Sequence, residues 1–156
     1  MKLILGIGQS LRGDDGAGLA AVKRWQSRFP ARASDPELRV ECLELPGLAL
    51  LDYFTGIDQV LLVDAVRSGA SPGTLHLLAE KDLSDFRPGS VSAHGWGVAE
   101  TLALGRKLHA EKIPAQVAIL GIEAGALALG GGLSPEVAGA IDQAAGMIEG
   151  WVRKSG

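Results

Sequence analysis

Leu3-Ile4-Leu5-Gly6-Ile7-Gly8-Gln9-Ser10-Leu11-Arg12-Gly13-Asp14-Asp15-Gly16 is the stretch on which the fold turns. An apolar strand-like run leads into it, and a helix-like run from Leu19 to Trp25 leads out. It therefore reads as a strand–loop–helix turn with four glycines, Gly6, Gly8, Gly13 and Gly16, and two adjacent carboxylates. Glycine lets a backbone turn tightly and approach a ligand closely. The carboxylates place negative charge at the start of a helix, where a phosphate site would need positive potential.

Working outward, residues 2–7 predict a buried strand, short, apolar and ended by glycine. Residues 15–28 predict a helix with Leu19, Val22 and Trp25 on one side. Pro30 to Pro36 reads as a loop, 38–45 as a second strand and 48–55 as a short helix. Residues 58–64, Asp-Gln-Val-Leu-Leu-Val-Asp, predict a third strand that Asp64 closes. Ser68 to Gly73 is a loop and Thr74 to Leu78 a short strand, at a spacing that suits an antiparallel hairpin with its predecessor. Residues 80–91 read as an irregular excursion. A helix is expected from Gly95 to His109, anchored by Val98, Leu102 and Leu108, with Ser92 as N-cap. Residues 115–121 form another buried strand. After Gly130-Gly131-Gly132, Ser134-Pro135-Glu136 marks a helix start. That helix runs to about Lys154, with Val137, Ile141, Ala144, Ile148 and Val152 facing inward. Strands alternating with helices imply an α/β fold. The expected form is a three-layer α/β/α sandwich around a mostly parallel twisted sheet of about five strands, one domain over residues 1–156.

Composition narrows the function. A hydrophobic fraction of 47% with 21% charged residues is that of a globular protein. The net charge of −3 argues against a nucleic-acid surface or an anionic membrane partner. No apolar stretch approaches the ~20 residues of a membrane helix. The apolar run after Lys2 stops at Gln9 without a small-residue cleavage site, so a cytoplasmic protein is expected. The single cysteine, Cys42, reads as a buried strand thiol in a reducing compartment.

In open α/β sheets ligands bind beyond the carboxyl ends of the strands. Three ionisable side chains sit at such positions: Asp15 after the first strand, Asp64 at the third, and His94 in the loop Val91-Ser92-Ala93-His94-Gly95 before a helix. Two carboxylates and an imidazole make a partial shell for a divalent first-row metal, with positions open for water or substrate. Each has a plainer reading. Asp14 or Asp15 would serve as a helix cap worth about 1 kcal/mol, and Asp64 as an acceptor for loop amides. His94 alone would be a surface histidine, and His76 and His109 read as structural or surface residues. Two other functions fit parts of the turn. A dinucleotide site would use Gly6-x-Gly8 with Glu44 on a ribose, but Leu11 stands at the third glycine position and the aspartates oppose a pyrophosphate. A serine hydrolase would use Ser10, Asp64 and His94, but the second glycine of a nucleophile elbow is missing.

With these residues in view, the chain resembles the hydrogenase maturation peptidases, which trim the C-terminus of the large subunit of nickel-iron hydrogenases. The resemblance rests on Leu5 to Gly18, on Leu61-Leu62-Val63-Asp64-Ala65, on Pro72-Gly73-Thr74 and on Ser92-Ala93-His94-Gly95. The family usually has asparagine where this chain has Gln9, and often glutamate where it has Asp15. The resemblance implies that Asp15, Asp64 and His94 form both the metal-binding and the catalytic site. It implies a nickel-dependent endopeptidase whose partner is a hydrogenase large-subunit precursor that already carries the nickel. The alternatives are a non-catalytic metal-binding maturation chaperone and a nucleotide-binding α/β protein.

Overall fold

The computed structural model describes residues 1–44, 47–85, 91–92, 98–125, 127 and 130–154. Among the described residues there are six strands: β1 (Lys2–Gly8), β2 (Leu38–Glu44), β3 (Gln59–Arg67), β4 (Leu75–Ala79), β5 (Val91–Ser92) and β6 (Gln116–Glu123). The helices are α1 (Ala17–Arg28), α2 (Pro30–Ala33), α3 (Val98–Leu108) and α4 (Pro135–Lys154). Short 3-10 helices cover Gly13–Gly16, Gly47–Phe54, Glu80–Asp85 and Ala110–Lys112.

The sheet runs β2-β1-β3-β6-β4, with β5 paired to β3 off this path. β2, β1, β3 and β6 are parallel; β4 is an antiparallel edge and β5 an antiparallel addition. Helices cover both faces, so the inner strands carry runs of consecutive apolar residues instead of alternating. Ile4, Leu61, Val63, Leu120 and Ile122 pack on one face against Val22 and Trp25 of α1 and Val137, Ile141, Ala144 and Ile148 of α4. Leu3, Leu5, Val60, Leu62 and Ile119 pack on the other against Leu50, Phe54, Val98 and Leu102. This is the expected mostly parallel α/β sandwich.

The stretch from Leu3 to Gly16 positions everything else through two close approaches. A Cβ on Gly8 would lie 2.2 Å from the Asp15 carbonyl oxygen. A Cβ on Gly18 would lie 2.3 Å from the Val63 carbonyl oxygen and 2.6 Å from that of Ile7. Only hydrogen fits either gap, so these glycines let the turn fold back on β1 and let α1 seat against the ends of β1 and β3.

Several local expectations are corrected. Asp64 does not close its strand, because β3 continues to Arg67. β4 pairs with β6 and not with its predecessor β3: its apolar positions match Ile122, Leu120 and Ala118 on the open side of β6. The Pro30 loop holds the short α2, with proline in its first turn, where its missing N–H costs nothing. The 80–91 excursion contains a 3-10 turn and then β5. Ser92 lies in β5, so it does not cap α3, and Leu108 is 64% exposed at the end of that helix. The expected start of α3 at Gly95 lies outside the described residues. Cys42 is exposed, since β2 is an edge strand and that position is uncovered. Its sulfur nevertheless leans over Gly6, and partial desolvation pushes the thiol pKa up.

Candidate functional site

The carboxyl ends of the central strands gather buried acid. Asp14 and Asp15 are both 0% exposed, Asp64 is 2% and Glu123 is 1%. A buried carboxylate is costly unless partnered, so four at one end of a sheet single out that end as the candidate site.

Asp15 is placed by the turn. Its amide donates to the Arg12 carbonyl at 3.1 Å, and its own carbonyl accepts from the Gln9 amide at 3.2 Å. The 3-10 turn Gly13–Gly16 packs against β1 and β3. Asp64 lies inside β3, opposite Gly121 of β6. It stands two residues beyond Leu62 and so shares the sheet face covered by α3 and the Gly47–Phe54 turn. The fold thus brings Asp15 and Asp64 to the same end of the same two strands. His94, the third residue singled out from sequence, lies outside the described residues. Ser92, two positions before it, pairs with Val66, two positions after Asp64.

Asp14 differs from Asp15 in kind. Its Oδ1 accepts from the Ser134 amide at 2.6 Å, and its Oδ2 from the Ser134 hydroxyl and the Gly125 amide, both at 2.8 Å. The residue at the N-cap of α1 is Gly16. Asp14 therefore ties the first turn to the loop after β6 and to the start of α4.

Glu44 and Ser10, the residues of the two rival readings of the turn, are bonded to each other. The Ser10 hydroxyl donates to Glu44 Oε1 at 2.7 Å, and the Ser10 amide reaches the same oxygen at 3.2 Å. The hydroxyl bond first, then the amide, holds the Glu44 carboxyl below its ordinary value. One Glu44 oxygen is thus taken up by Ser10, and the serine hydroxyl is given to a carboxylate.

Glu123 escaped sequence reading. Both its oxygens accept from the Ser68 amide, at 2.9 and 3.2 Å, and Oε1 also accepts from the Ser68 hydroxyl. The His76 ring nitrogen Nε2 lies 3.3 Å from Oε1. The signal was present: a glutamate directly after Val117-Ala118-Ile119-Leu120-Gly121-Ile122 repeats the pattern that singled out Asp64. Ending that strand at Gly121 hid it. His76 is accordingly a structural neighbour of Glu123, and His109 is a surface residue beside Glu111.

A mostly parallel sheet between helical layers, with buried carboxylates beyond its central strands, places the chain among α/β proteins that work at the carboxyl ends of their strands. Comparison with known proteins is more specific: the chain belongs to the hydrogenase maturation protease family (HycI), which it matches over residues 40–151. It is 27% identical to the hydrogenase 2 maturation protease of Escherichia coli (strain K12), over 99% of this chain and 92% of that one. It is 31% identical to the hydrogenase expression/formation protein HupD of Rhodobacter capsulatus, covering 90% of this chain but only 65% of that longer relative. Among solved structures, the hydrogenase maturating endopeptidase HybD from E. coli superposes with a TM-score of 0.79 at 25% identity, covering 99% of this chain and 93% of that one. The [NiFe] hydrogenase maturation protease HybD from Thermococcus kodakarensis gives 0.77 at 26%, covering 97% and 98%.

Proposed function

We propose that this chain is a cytoplasmic processing endopeptidase that removes the C-terminal extension of a nickel-iron hydrogenase large-subunit precursor and recognises the nickel already inserted there. The observation that carries the proposal is the burial of Asp15 and Asp64 at one end of β1 and β3, in a chain of the hydrogenase maturation protease family. With His94 they are the residues assigned to dock the nickel of the substrate. Their chemistry fits: hard carboxylate oxygens and an imidazole are ordinary donors to a divalent first-row ion. Bound metal would supply Lewis acidity toward the scissile carbonyl or toward water.

The chain's own contribution is positional. Asp15 is held by the backbone bonds of its turn and Asp64 by the pairing of β3 with β6, where it lies opposite Gly121, so neither backbone needs to be ordered when substrate arrives. The turn from Gln9 to Arg12 exposes Leu11 beside this end of the sheet, offering an apolar contact for the precursor tail.

The test is cleavage of nickel-loaded and nickel-free precursor, read by mass spectrometry. Loss of mass from the loaded precursor alone is expected. Equal processing of both, or full activity in Asp15→Asn and His94→Ala, sinks the proposal. Nickel-dependent complex formation without any change in mass would point to a binding module instead.

A further inference from the structure

Glu123 is buried, charged and not among the residues assigned to the metal, yet it stands at the end of the sheet where the site lies. Its backbone is fully engaged. The Glu123 amide donates to the Thr74 carbonyl at 2.9 Å, and its carbonyl accepts from the Gly73 amide at 2.9 Å. Its side chain then crosses to the other neighbour and takes both donors of Ser68, the first residue beyond β3. One residue of β6 thus fastens both ends of the Ser68–Thr74 connection between β3 and β4.

The end of β3 matters because of what pairs with it. Val66 and Arg67 are the partners of Ser92 and Val91, the two residues of β5. β1 pairs with β3 only as far as Gly6 opposite Val63, and β5 takes up β3 beyond it. Asp64 lies on the same β3 strand, and β5 is the last described element before the segment that contains His94. Were the β3 end to fray, β5 would lose the strand it pairs with.

We propose that Glu123 is a positioning residue: its carboxylate, through Ser68, locks the end of β3 and so fixes the β3–β5 pairing that delivers the chain toward His94. The role requires an acceptor, not a charge, because the Ser68 donors that tie down the end of β3 are a neutral amide and a neutral hydroxyl, with the His76 ring as a further neighbour of Oε1. Glutamine keeps an acceptor oxygen for the Ser68 amide; alanine keeps nothing. This inference rests on the proposed site only for its catalytic consequence.

The experiment compares Glu123→Ala with Glu123→Gln in the full chain. Hydrogen exchange is expected to rise at the amides of residues 66–68 and 91–92 in Glu123→Ala, with residues 3–5 and 60–63 as protected as before, and to stay near wild type in Glu123→Gln. With nickel-loaded precursor, Glu123→Ala should lose about 10–100-fold in kcat, as for groups that orient metal ligands, with KM little changed. Glu123→Gln should restore most of it. An unaltered exchange pattern in Glu123→Ala overturns the proposal, and so does a Gln variant as impaired as the Ala variant. Should Glu123→Ala fail to fold, Ser68→Ala carries the test: it removes the hydroxyl donor alone and should give a smaller change in the same direction, and no change overturns the idea. The exchange readout does not depend on catalysis. Wild-type processing by Asp64→Asn would therefore defeat the site assignment while leaving the clamp standing.

Discussion

The two ends of the sheet handle charge in opposite ways. At the amino end, Asp58 meets the N-terminal ammonium at 2.8 Å, and the carboxylate is 79% exposed. An ion pair so open to water contributes little. At the carboxyl end, Asp14, Asp15, Asp64 and Glu123 are all but sealed from water. One sheet, with the same helices over both ends, hides acid at one end and leaves it solvated at the other. Packing alone does not demand that difference. A buried carboxylate is costly unless partnered, so their concentration at one end makes that end the candidate site.

The comparison breaks hardest if the buried pair is made neutral. Asp15→Asn and Asp64→Asn should each cut precursor processing by about 100-fold or more, while thermal unfolding shows an unchanged or higher Tm. A large fall in Tm would reassign them to structure. Gly18→Ala should cost about 3 kcal/mol in denaturant unfolding, because the new methyl meets two strand carbonyls and α1 must back away. Asp14→Ala should cost about 2–3 kcal/mol by leaving the Gly125 and Ser134 donors short of their acceptor. That loss should appear first as increased exchange at the start of α4.

Smaller effects sharpen the contrast. Glu44 is held below its ordinary value of 4.5 by the Ser10 hydroxyl and amide. A depressed carboxylate adds stability above its unfolded pKa and loses it as pH falls through the folded value. The Ser10–Glu44 contact should therefore be intact above pH 4.5 and open on further acidification, read as a shift of the Ser10 amide resonance that Glu44→Gln abolishes. Asp58→Asn, at the amino end, should leave Tm and processing within error. A marked fall there would erase the distinction between the two ends.

Much of the fold was legible along the chain. Val60 to Val63 could only be a buried strand, and the inward positions of α4, from Val137 to Val152, follow from a period of 3.6. The placement of Asp15 and Asp64 at the carboxyl end of the sheet was legible as well, because a carboxylate beside an apolar run is conspicuous. Leu108 misled for the converse reason: it keeps the helical period, but the helix ends where nothing covers it.

Local sequence determined which segments are strands and helices and where the acids interrupt them, since periodicity and glycine placement act over a few residues. Tertiary structure alone decided which strands are neighbours and which acids have partners. β4 lies beside β6 instead of β3 because β3 is already flanked by β1 and β6. Asp14 finds its donors 111 and 120 residues away, and Glu123 finds Ser68 at 55. A carboxylate at the end of a strand announces only that it needs partners. Which groups meet that need is set by chain crossings that bring distant amides into reach, and hence by the order of the sheet.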